Sequence, residues 1–336
     1  MGKWKEYNEK LNRVADILPY GGLVKDNVLR CKDDSFIGAI EFDEYIQPDM
    51  AVGPFPSFRR GWNIWTEHQH IPGRDRYIIY FSWNPFYRLG QIKNLLDKSN
   101  NAGDPAVYFQ KKLEEFSLAV NQYVKGRILS YNEFLSALAF SVSFDTVAPP
   151  RPEVPMYIDY YLTKGITFLF RENDIVMNDK KLVVLTLPSF PQADIAREIY
   201  SAFSNERYRH VKRILFMNEK EYRMEMKEYM KLWCSGRNSI KKFIYNDIIQ
   251  GEFHGLATEN LIFVTDRDDE KLSDYIFRVM GILEIPYINE RFNLKDVWWG
   301  SLPGLFRANI NPPAVSIGNI YELLFPVNME ENDVST

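Results

Sequence analysis

Two histidines lie two residues apart in a run of mixed polar and apolar side chains. His68 and His70 would point to the same face of a β-strand, because strand side chains alternate, and this spacing suits metal ligation by two imidazoles. Glu67 is adjacent but would lie on the opposite face of that strand. The sequence identifies no third ligand, so we expect surface histidines here and no metal site. The other two histidines, His210 and His254, are isolated in the sequence.

The sequence lacks the motifs of several enzyme classes. A nucleotide-hydrolysing motor needs G-x-x-x-x-G-K-[ST], whose backbone amides hold phosphate while the lysine neutralises it, and Gly2-Lys3 is no such loop. No G-x-S-x-G occurs for a serine hydrolase, and the segment around Ser301 lacks that spacing. No G-x-G-x-x-G follows a predicted strand. We therefore predict no catalytic residue and no cofactor-binding residue.

A second candidate site is aromatic and lies near the C-terminus, in residues 297–309. Trp298 and Trp299 would bury a large ring area, and each indole N–H needs a partner. The run from Gly300 to Gly304 is predicted to break any regular element, because glycine permits positive φ and proline removes a donor. A rigid aromatic segment that enters a tight loop is a candidate contact surface, but it is not by itself a catalytic site.

Hydrophobic periodicity predicts the elements that must position these residues. In the first half, the predicted elements are a helix over 3–17, a hairpin of Val28–Lys32 and Phe36–Phe42, strands Trp62–Gln69 and Tyr77–Trp83, and helices Asp104–Lys125 and Tyr131–Phe140. In the second half, they are strands Ile166–Phe170, Lys181–Leu187, Val211–Met217 and Leu261–Thr265, and helices Pro191–Phe203, Asp269–Glu284 and a long one after Asn218.

Four prolines between residues 148 and 155 mark a stiff segment that cannot join a central sheet. We predict a mixed α+β (mixed α/β) fold of two layered subdomains, the second with alternating strands and helices on a mixed sheet. The predicted division is an N-terminal α+β subdomain over 1–147, a proline-rich linker over 148–155, a second α/β subdomain over 156–328 and an acidic, disordered tail over 329–336.

Composition narrows the function class. The 336 residues are 46% hydrophobic and 26% charged, which is typical of a folded protein and too apolar for disorder. The net charge of −4 gives no overall basic field for nucleic acid. Cys31 and Cys234 form no C-x-x-C pair, which fits a reducing compartment. No signal peptide or bilayer-length apolar run is visible, so we expect a cytoplasmic protein with at most peripheral membrane association.

Several motifs occur in the order found in the TrbE/CagE/VirB family of type IV secretion ATPases. Residues 298–304 resemble the W-x-G-S-L-P-G region before the family's motor domain. Residues 18–24 and 29–36 resemble its opening "LPY…LV…KDGS" strand–turn–strand, with Asp34 in place of the usual glycine. Gly61-Trp62, Leu187 to Pro191 and Arg213 to Phe216 follow in the family's order. The resemblance spans nearly the whole chain.

This resemblance implies the non-motor, N-terminal portion of such an ATPase. In the family the motor lies beyond the segment that ends near Pro326, where this chain stops, so we expect no ATP hydrolysis by the family's chemistry. The resemblance implies docking of the motor at the cytoplasmic face of the inner membrane. The implied partners are a small inner-membrane subunit, a separately encoded motor half and further copies of this chain, with no direct contact to nucleic acid.

Within this interpretation, two segments are the predicted interaction surfaces. Their residues are Leu18, Pro19, Tyr20 and Gly21 near the start of the chain, and Trp298, Trp299, Gly300, Ser301, Leu302, Pro303 and Gly304 near its end. The alternative is that both segments belong to the core, with Trp298 and Leu302 closing the second subdomain.

Two other function classes stay open. One is a nucleic-acid binder that uses the basic, aromatic residues 208–213 and 237–242, whose affinity would depend strongly on salt. The other is an enzyme with an unrecognised site, which predicts turnover or tight nucleotide binding by the isolated chain.

Overall fold

The protein is described by a computed structural model, which covers residues 18–42, 62–85, 104–121, 125–145, 157–187, 193–216, 253–282, 288–289, 294–304 and 314–317. Within these ranges thirteen strands form one sheet, and helices pack on both of its faces. The predicted mixed α+β class is therefore confirmed.

The strands are β1 (Tyr20–Lys25), β2 (Val28–Cys31), β3 (Phe36–Phe42), β4 (Trp62–Ile71), β5 (Arg74–Trp83), β6 (Gly126–Ile128), β7 (Phe168–Phe170), β8 (Ile175–Met177), β9 (Lys180–Leu187), β10 (Tyr208–Phe216), β11 (Phe253–Thr265), β12 (Ile288–Asn289) and β13 (Ala314–Ile317). The helices are α1 (Pro105–Val120), α2 (Tyr131–Ser143), α3 (Ile158–Thr163), α4 (Ala193–Ala202), α5 (Asp269–Ile282) and α6 (Leu294–Ser301).

The order of strands across the sheet is β1-β2-β3-β5-β4-β10-β11-β9-β8-β7, with β6 beside β3, β12 beside β9 and β13 beside β11. All pairings among the described strands are antiparallel, whereas the alternation of strands and helices had predicted a mixed sheet. The reason lies in the connections. Short turns join β1 to β2, β4 to β5 and β8 to β9, and a short turn returns the chain antiparallel to the strand before it.

Turn chemistry explains the reversals between β2 and β3 and between β4 and β5. In the β2–β3 turn Asp34 has φ 63°, a left-handed conformation that suits glycine and that aspartate tolerates. This is the position at which the resembling family has glycine. In the β4–β5 turn Gly73 has φ 79° after Pro72, so the two strands pair directly from Ile71 and Arg74 onward.

Helices α1, α2 and α5 begin where the sequence predicts, and α1 and α2 end at other residues than predicted. Asp104 caps α1 by accepting a hydrogen bond from the Ala106 amide at 3.0 Å. The helix ends at Val120, short of the predicted Lys125, because the chain from Gly126 forms β6 along the edge of β3. The six-residue α3 was not predicted, and β11 begins eight residues before the predicted start at Leu261.

Within the described ranges, the core has three parts on the two faces of the sheet. Helices α2, α3 and α6 cover one face, which we call the α6 face, and contribute to the largest apolar cluster. The other face, the α4 face, holds one cluster under α1 and another under α4 and α5. Strands β4 and β10 lie in the centre of the sheet and supply residues to both faces, since their side chains alternate.

Some predicted elements lie outside the described residues. These are the helix over 3–17, the linker over 148–155, the helix after Asn218 and the tail over 329–336. The division into two subdomains stays a prediction. The β4–β10 pairing places strands from both sides of the predicted linker in one sheet.

Candidate functional site

All eleven predicted interaction residues are buried, and their two segments meet. The Tyr20 hydroxyl donates a hydrogen bond to the Pro303 carbonyl at 2.8 Å, across 283 positions of sequence. Gly304 lies so close to Pro19 that a Cβ at this glycine would be 3.3 Å from the proline ring. The structure therefore brings together the two motifs that carry the family resemblance.

The predicted break of regular structure within residues 300–304 occurs, but it follows Ser301 and does not begin at Gly300. Helix α6 runs from Leu294 to Ser301 and contains Trp298, Trp299 and Gly300. A glycine inside a helix costs about 1 kcal/mol relative to alanine, but here the burial of the neighbouring rings offsets that cost. The bare backbone of Gly300 also accepts a hydrogen bond from the Trp65 indole at 3.3 Å. The helix ends before Pro303, and Gly304 has φ 85° in the turn that follows.

Trp298 and Trp299 are fully buried in the cluster of the α6 face. Their rings lie 6.4 and 6.2 Å from the ring of Phe168, and Leu302 is buried beside them. In the part of the chain that the structure describes, neither indole N–H has a hydrogen-bond acceptor. This burial favours the core interpretation of the segment, and its role as an interaction surface stays a prediction.

A buried ion pair on the α6 face ties this segment to the central strands. Arg209 of β10 and Glu67 of β4 have side chains with no exposed area, and Arg209 Nε donates to Glu67 Oε1 at 2.6 Å. Two carbonyls accept from the same guanidinium, Ser141 O at 2.6 Å and Ser301 O at 3.3 Å. These carbonyls lie in the last turns of α2 and α6, where backbone oxygens lack helical partners and a cation is favoured.

The opposite face of the same two strands carries a cluster of histidines. Register places His68 opposite His210 of β10 and opposite Tyr77 of β5, and it places His70 opposite Asp75. His68 Nε2 and His70 Nδ1 each lie 2.6 Å from the same oxygen, Asp75 Oδ1. The ligand atoms of these three side chains lie within 4.8 Å of one another. We call His68, His70 and Asp75 the hairpin triad.

Aromatic rings and a backbone oxygen fix the two imidazoles of the hairpin triad. The His68 ring stacks on Tyr77 and meets Tyr200 edge to face, both at a centroid distance of 4.5 Å. His70 Nε2 lies 2.9 Å from the Ser204 carbonyl, in the turn after α4. Because a carbonyl oxygen only accepts, His70 Nε2 must carry the hydrogen.

Burial and hydrogen bonds separate the pKa values of these groups. Burial lowers the pKa of His68 to about 4, despite the hydrogen bond to Asp75. Burial also disfavours charge on His70, but the hydrogen bonds to Asp75 and to the Ser204 carbonyl outweigh it and raise the pKa of His70. Partial burial would raise the pKa of Asp75, yet the two imidazoles hold it well below its usual range. The carboxylate is thus ionised at neutral pH.

A second polar chain lies beside the hairpin triad on the α4 face. His210 Nδ1 is 2.8 Å from the Tyr200 hydroxyl, and its Nε2 contacts Glu259 of β11. The ammonium of Lys212 is 3.5 Å from the same carboxylate. All of these groups except Tyr200 are buried, so the centre of the sheet is polar on this face.

Sequence reasoning missed two members of this cluster. Asp75 was not connected to His68 and His70, although Pro72-Gly73 is a turn signal that would have placed it opposite His70 in a hairpin. His210 was described as isolated, because the pairing of β4 with β10 spans well over a hundred residues and has no local signal. Two imidazoles and a carboxylate can hold a transition-metal ion, and in the absence of one they form a hydrogen-bonded network.

None of the helices in the described ranges is both long and apolar enough to cross a membrane.

The fold and these contacts define a mixed α+β protein with one antiparallel sheet and buried polar groups on both faces of its central strands. No family model matches the chain. The chain is similar to the conjugal transfer protein TrbE of Rhizobium radiobacter, with 21% identity over 427 aligned residues that cover 96% of this chain and 50% of that protein. The chain thus spans about half the length of this relative, and the similarity supports a TrbE-like relationship and no finer assignment.

Among solved structures, the chain matches a Fusobacterium nucleatum protein provisionally described as a monooxygenase. The match covers 84% of this chain and 98% of that one, at 11% identity and a TM-score of 0.16. A TM-score this low carries no conclusion about fold or activity.

Proposed function

We propose that this chain is a non-catalytic docking and assembly portion of a TrbE-like ATPase of conjugal transfer or type IV secretion. The observation that carries the proposal is the similarity to TrbE over 96% of the chain. The contact between its two family-like segments supports it, because Tyr20 and Pro303 join them across nearly the whole sequence.

In this role the chain holds a motor against the cytoplasmic face of the inner membrane. Its partners are a small inner-membrane subunit, a separately encoded motor half and further copies of itself. The association with the membrane is peripheral, and the chain itself neither hydrolyses ATP nor binds nucleic acid directly.

The exposed apolar side chains offer further contact points besides the eleven buried residues. Among the exposed apolar side chains, Phe277 and Met280 lie one turn apart on α5 and are 70% and 51% exposed. Leu118 on α1 is 69% exposed and provides a matched control of similar exposure. Substitution of such residues by serine changes the surface and leaves the described core contacts in place.

The test is capture of candidate subunits by the purified full-length chain. We expect it to retain the small inner-membrane subunit or the motor half, and to show no ATP turnover and no salt-dependent binding to DNA. A loss of capture by Phe277→Ser with Met280→Ser, but not by Leu118→Ser, would locate the contact on α5. The docking role would be overturned if the chain captured neither of the two subunits. ATP turnover by the chain alone would favour an enzyme.

The buried aromatic helix provides a second arm of the same experiment. Because Trp298 and Trp299 are fully buried, their joint replacement by alanine should abolish cooperative folding, since each truncation of a core aromatic costs about 3–5 kcal/mol. Thermal denaturation measures that outcome. A variant that folds normally and only loses its partner would show that the segment acts as a contact surface.

A further inference from the structure

We propose that His68, His70 and Asp75 form a binding site for one divalent transition-metal ion of the zinc class. The ligand atoms of this hairpin triad converge to within 4.8 Å of one another. The site goes beyond the docking role, because it depends only on the β4–β5 hairpin and its neighbours.

Backbone geometry brings the three ligands together. His68 and His70 alternate with Gln69 along β4 and therefore share the α4 face, while Asp75 is the direct cross-strand partner of His70. Each of the two imidazole nitrogens is 2.6 Å from Asp75 Oδ1. The turn between the strands is only two residues long, so the hairpin holds this arrangement with little freedom.

The spacing requires a small adjustment on metal binding. Zinc bonds to nitrogen and oxygen are about 2.0–2.1 Å long, so tetrahedral donor atoms lie about 3.3 Å apart. The Asp75 oxygen must therefore withdraw by about 0.7 Å from each imidazole. Its side chain is 44% exposed, whereas those of His68 and His70 are 4% and 7% exposed. The carboxylate is thus the ligand with the most room to move, and the two imidazole nitrogens must also lie about 3.3 Å apart in the bound state.

The surroundings of His70 select the nitrogen that binds the metal. Its Nε2 donates to the Ser204 carbonyl at 2.9 Å, which leaves Nδ1 directed at the common centre. A histidine that ligates a metal usually donates its other ring N–H to a carbonyl or carboxylate, which orients the ring and raises its basicity. The orientation of the His68 ring is fixed by packing against the rings of Tyr77 and Tyr200.

The donor set determines the class of metal. Two imidazoles and one carboxylate favour zinc, cobalt, nickel, copper or ferrous iron, whereas magnesium and calcium prefer oxygen ligands. Three protein ligands leave a fourth position for water, on the half-exposed side of Asp75. Through the Ser204 carbonyl, the metal would link the β4–β5 hairpin to the turn after α4.

The experiment uses the full-length, tag-free chain, treated with chelator and then titrated with zinc chloride. We expect one zinc ion per chain by elemental analysis of the dialysed protein, a rise in Tm with zinc and none with magnesium chloride. Cobalt chloride should give a visible d–d absorption spectrum of a low-coordinate site. Asp75→Asn keeps the size of the side chain and should weaken zinc affinity at least about tenfold.

The control is Asp34→Asn, which alters a carboxylate of comparable exposure, 51%, in a different hairpin turn. We expect it to leave zinc affinity unchanged. His70→Gln provides a second ligand variant, and the Tm of each variant without metal shows whether it is folded. A wild-type chain that retains no stoichiometric zinc would overturn the proposal, and so would equal affinity in wild type and a folded Asp75→Asn variant.

Discussion

Replacement of Arg209 by methionine should destabilise the fold more than any other change to a single charged side chain described above. Methionine preserves most of the aliphatic volume and removes the guanidinium. Glu67 would then remain as a carboxylate without exposed area and without its cation, although Ser141 Oγ and Gln69 Nε2 still donate to it at 2.7 and 3.0 Å. Removal of one partner from a buried ion pair costs about 3–5 kcal/mol.

The same substitution also removes a donor from two helix C-termini. The carbonyls of Ser141 and Ser301 each lose a hydrogen bond, and the Ser301 bond is the longer one at 3.3 Å. For each lost bond we add about 0.5–1 kcal/mol to the cost of the substitution. We therefore expect a loss of about 4–7 kcal/mol in the free energy of unfolding. This is a large share of the roughly 5–15 kcal/mol by which folded domains are stable.

The assay is urea unfolding followed by tryptophan fluorescence and far-UV circular dichroism. The double variant Arg209→Met with Glu67→Gln should lose less than the sum of the two single variants, by about 2 kcal/mol, because no buried charge is left alone. Arg30→Met is the matched control, since Arg30 pairs with a carboxylate at the surface and its side chain is 55% exposed. Its cost should stay below about 1 kcal/mol. The reasoning would be refuted if Arg209→Met lowered the free energy of unfolding as little as Arg30→Met does. It would also be refuted if the losses of the two single variants added up to the loss of the double variant.

Three further predictions concern backbone and capping contacts. Gly304→Ala should cost about 1–2 kcal/mol of stability, because φ is 85° and the turn is crowded. Gly22→Ala, with no atom near its would-be Cβ, should change stability by less than about 0.5 kcal/mol. Urea midpoints compare the two variants, and equal costs would contradict the conformational argument. Tyr20→Phe removes a buried hydrogen bond of 2.8 Å and should lower the unfolding free energy by about 1 kcal/mol, and no change would mean that the hydroxyl is not bound in solution. The pKa of Glu133 is lowered to about 2 by hydrogen bonds from Ser130 at the start of α2, so the stability it contributes is present above about pH 4.5 and is lost as the pH falls towards about 2. Thermal melts of wild type and Glu133→Gln should therefore differ at pH 7 and converge in acid, and a constant difference would contradict the prediction.

Local patterns predicted the class of fold and most of its elements. The hairpin of β2 and β3, the strands β4, β5, β9 and β10, and the helices α1, α2, α4 and α5 all follow from periodicity, caps and turn residues. These signals lie within one element and its flanking residues, so they can be recognised in the sequence without knowledge of the fold. The sequence is less informative about ends, as in α1, which ends at Val120 and not at the predicted Lys125.

The pairing of strands could not be predicted in the same way. The β4–β10 pair joins Glu67 to Arg209 and His68 to His210, and in each case the partners lie on strands that are far apart in sequence. No pattern in the residues around Glu67 indicates that Arg209 pairs with it. The sequence predicted polar side chains in a strand and therefore a surface, whereas the strand is buried and its polar groups satisfy one another.

Helix α6 shows a different failure. Gly300 and Pro303 were read as breakers of regular structure, which is their usual effect in isolation. In the folded chain the buried rings of Trp298 and Trp299 outweigh the cost of one helical glycine, and only the end of the helix obeys the local rule. The helix continues through Gly300 because of this tertiary burial, which no local sequence pattern indicates.

Strand β4 carries unlike polar groups on its two faces, and this has a consequence for the uniqueness of the fold. Glu67 and Gln69 lie on the α6 face, and His68 and His70 lie on the α4 face. A slip of one residue against β10 would exchange the two sets and leave Arg209 without an anion. An ordinary strand with the same apolar residue type on both faces would tolerate that slip far better. The buried polar residues thus favour this alignment of the central strands over one displaced by a single residue.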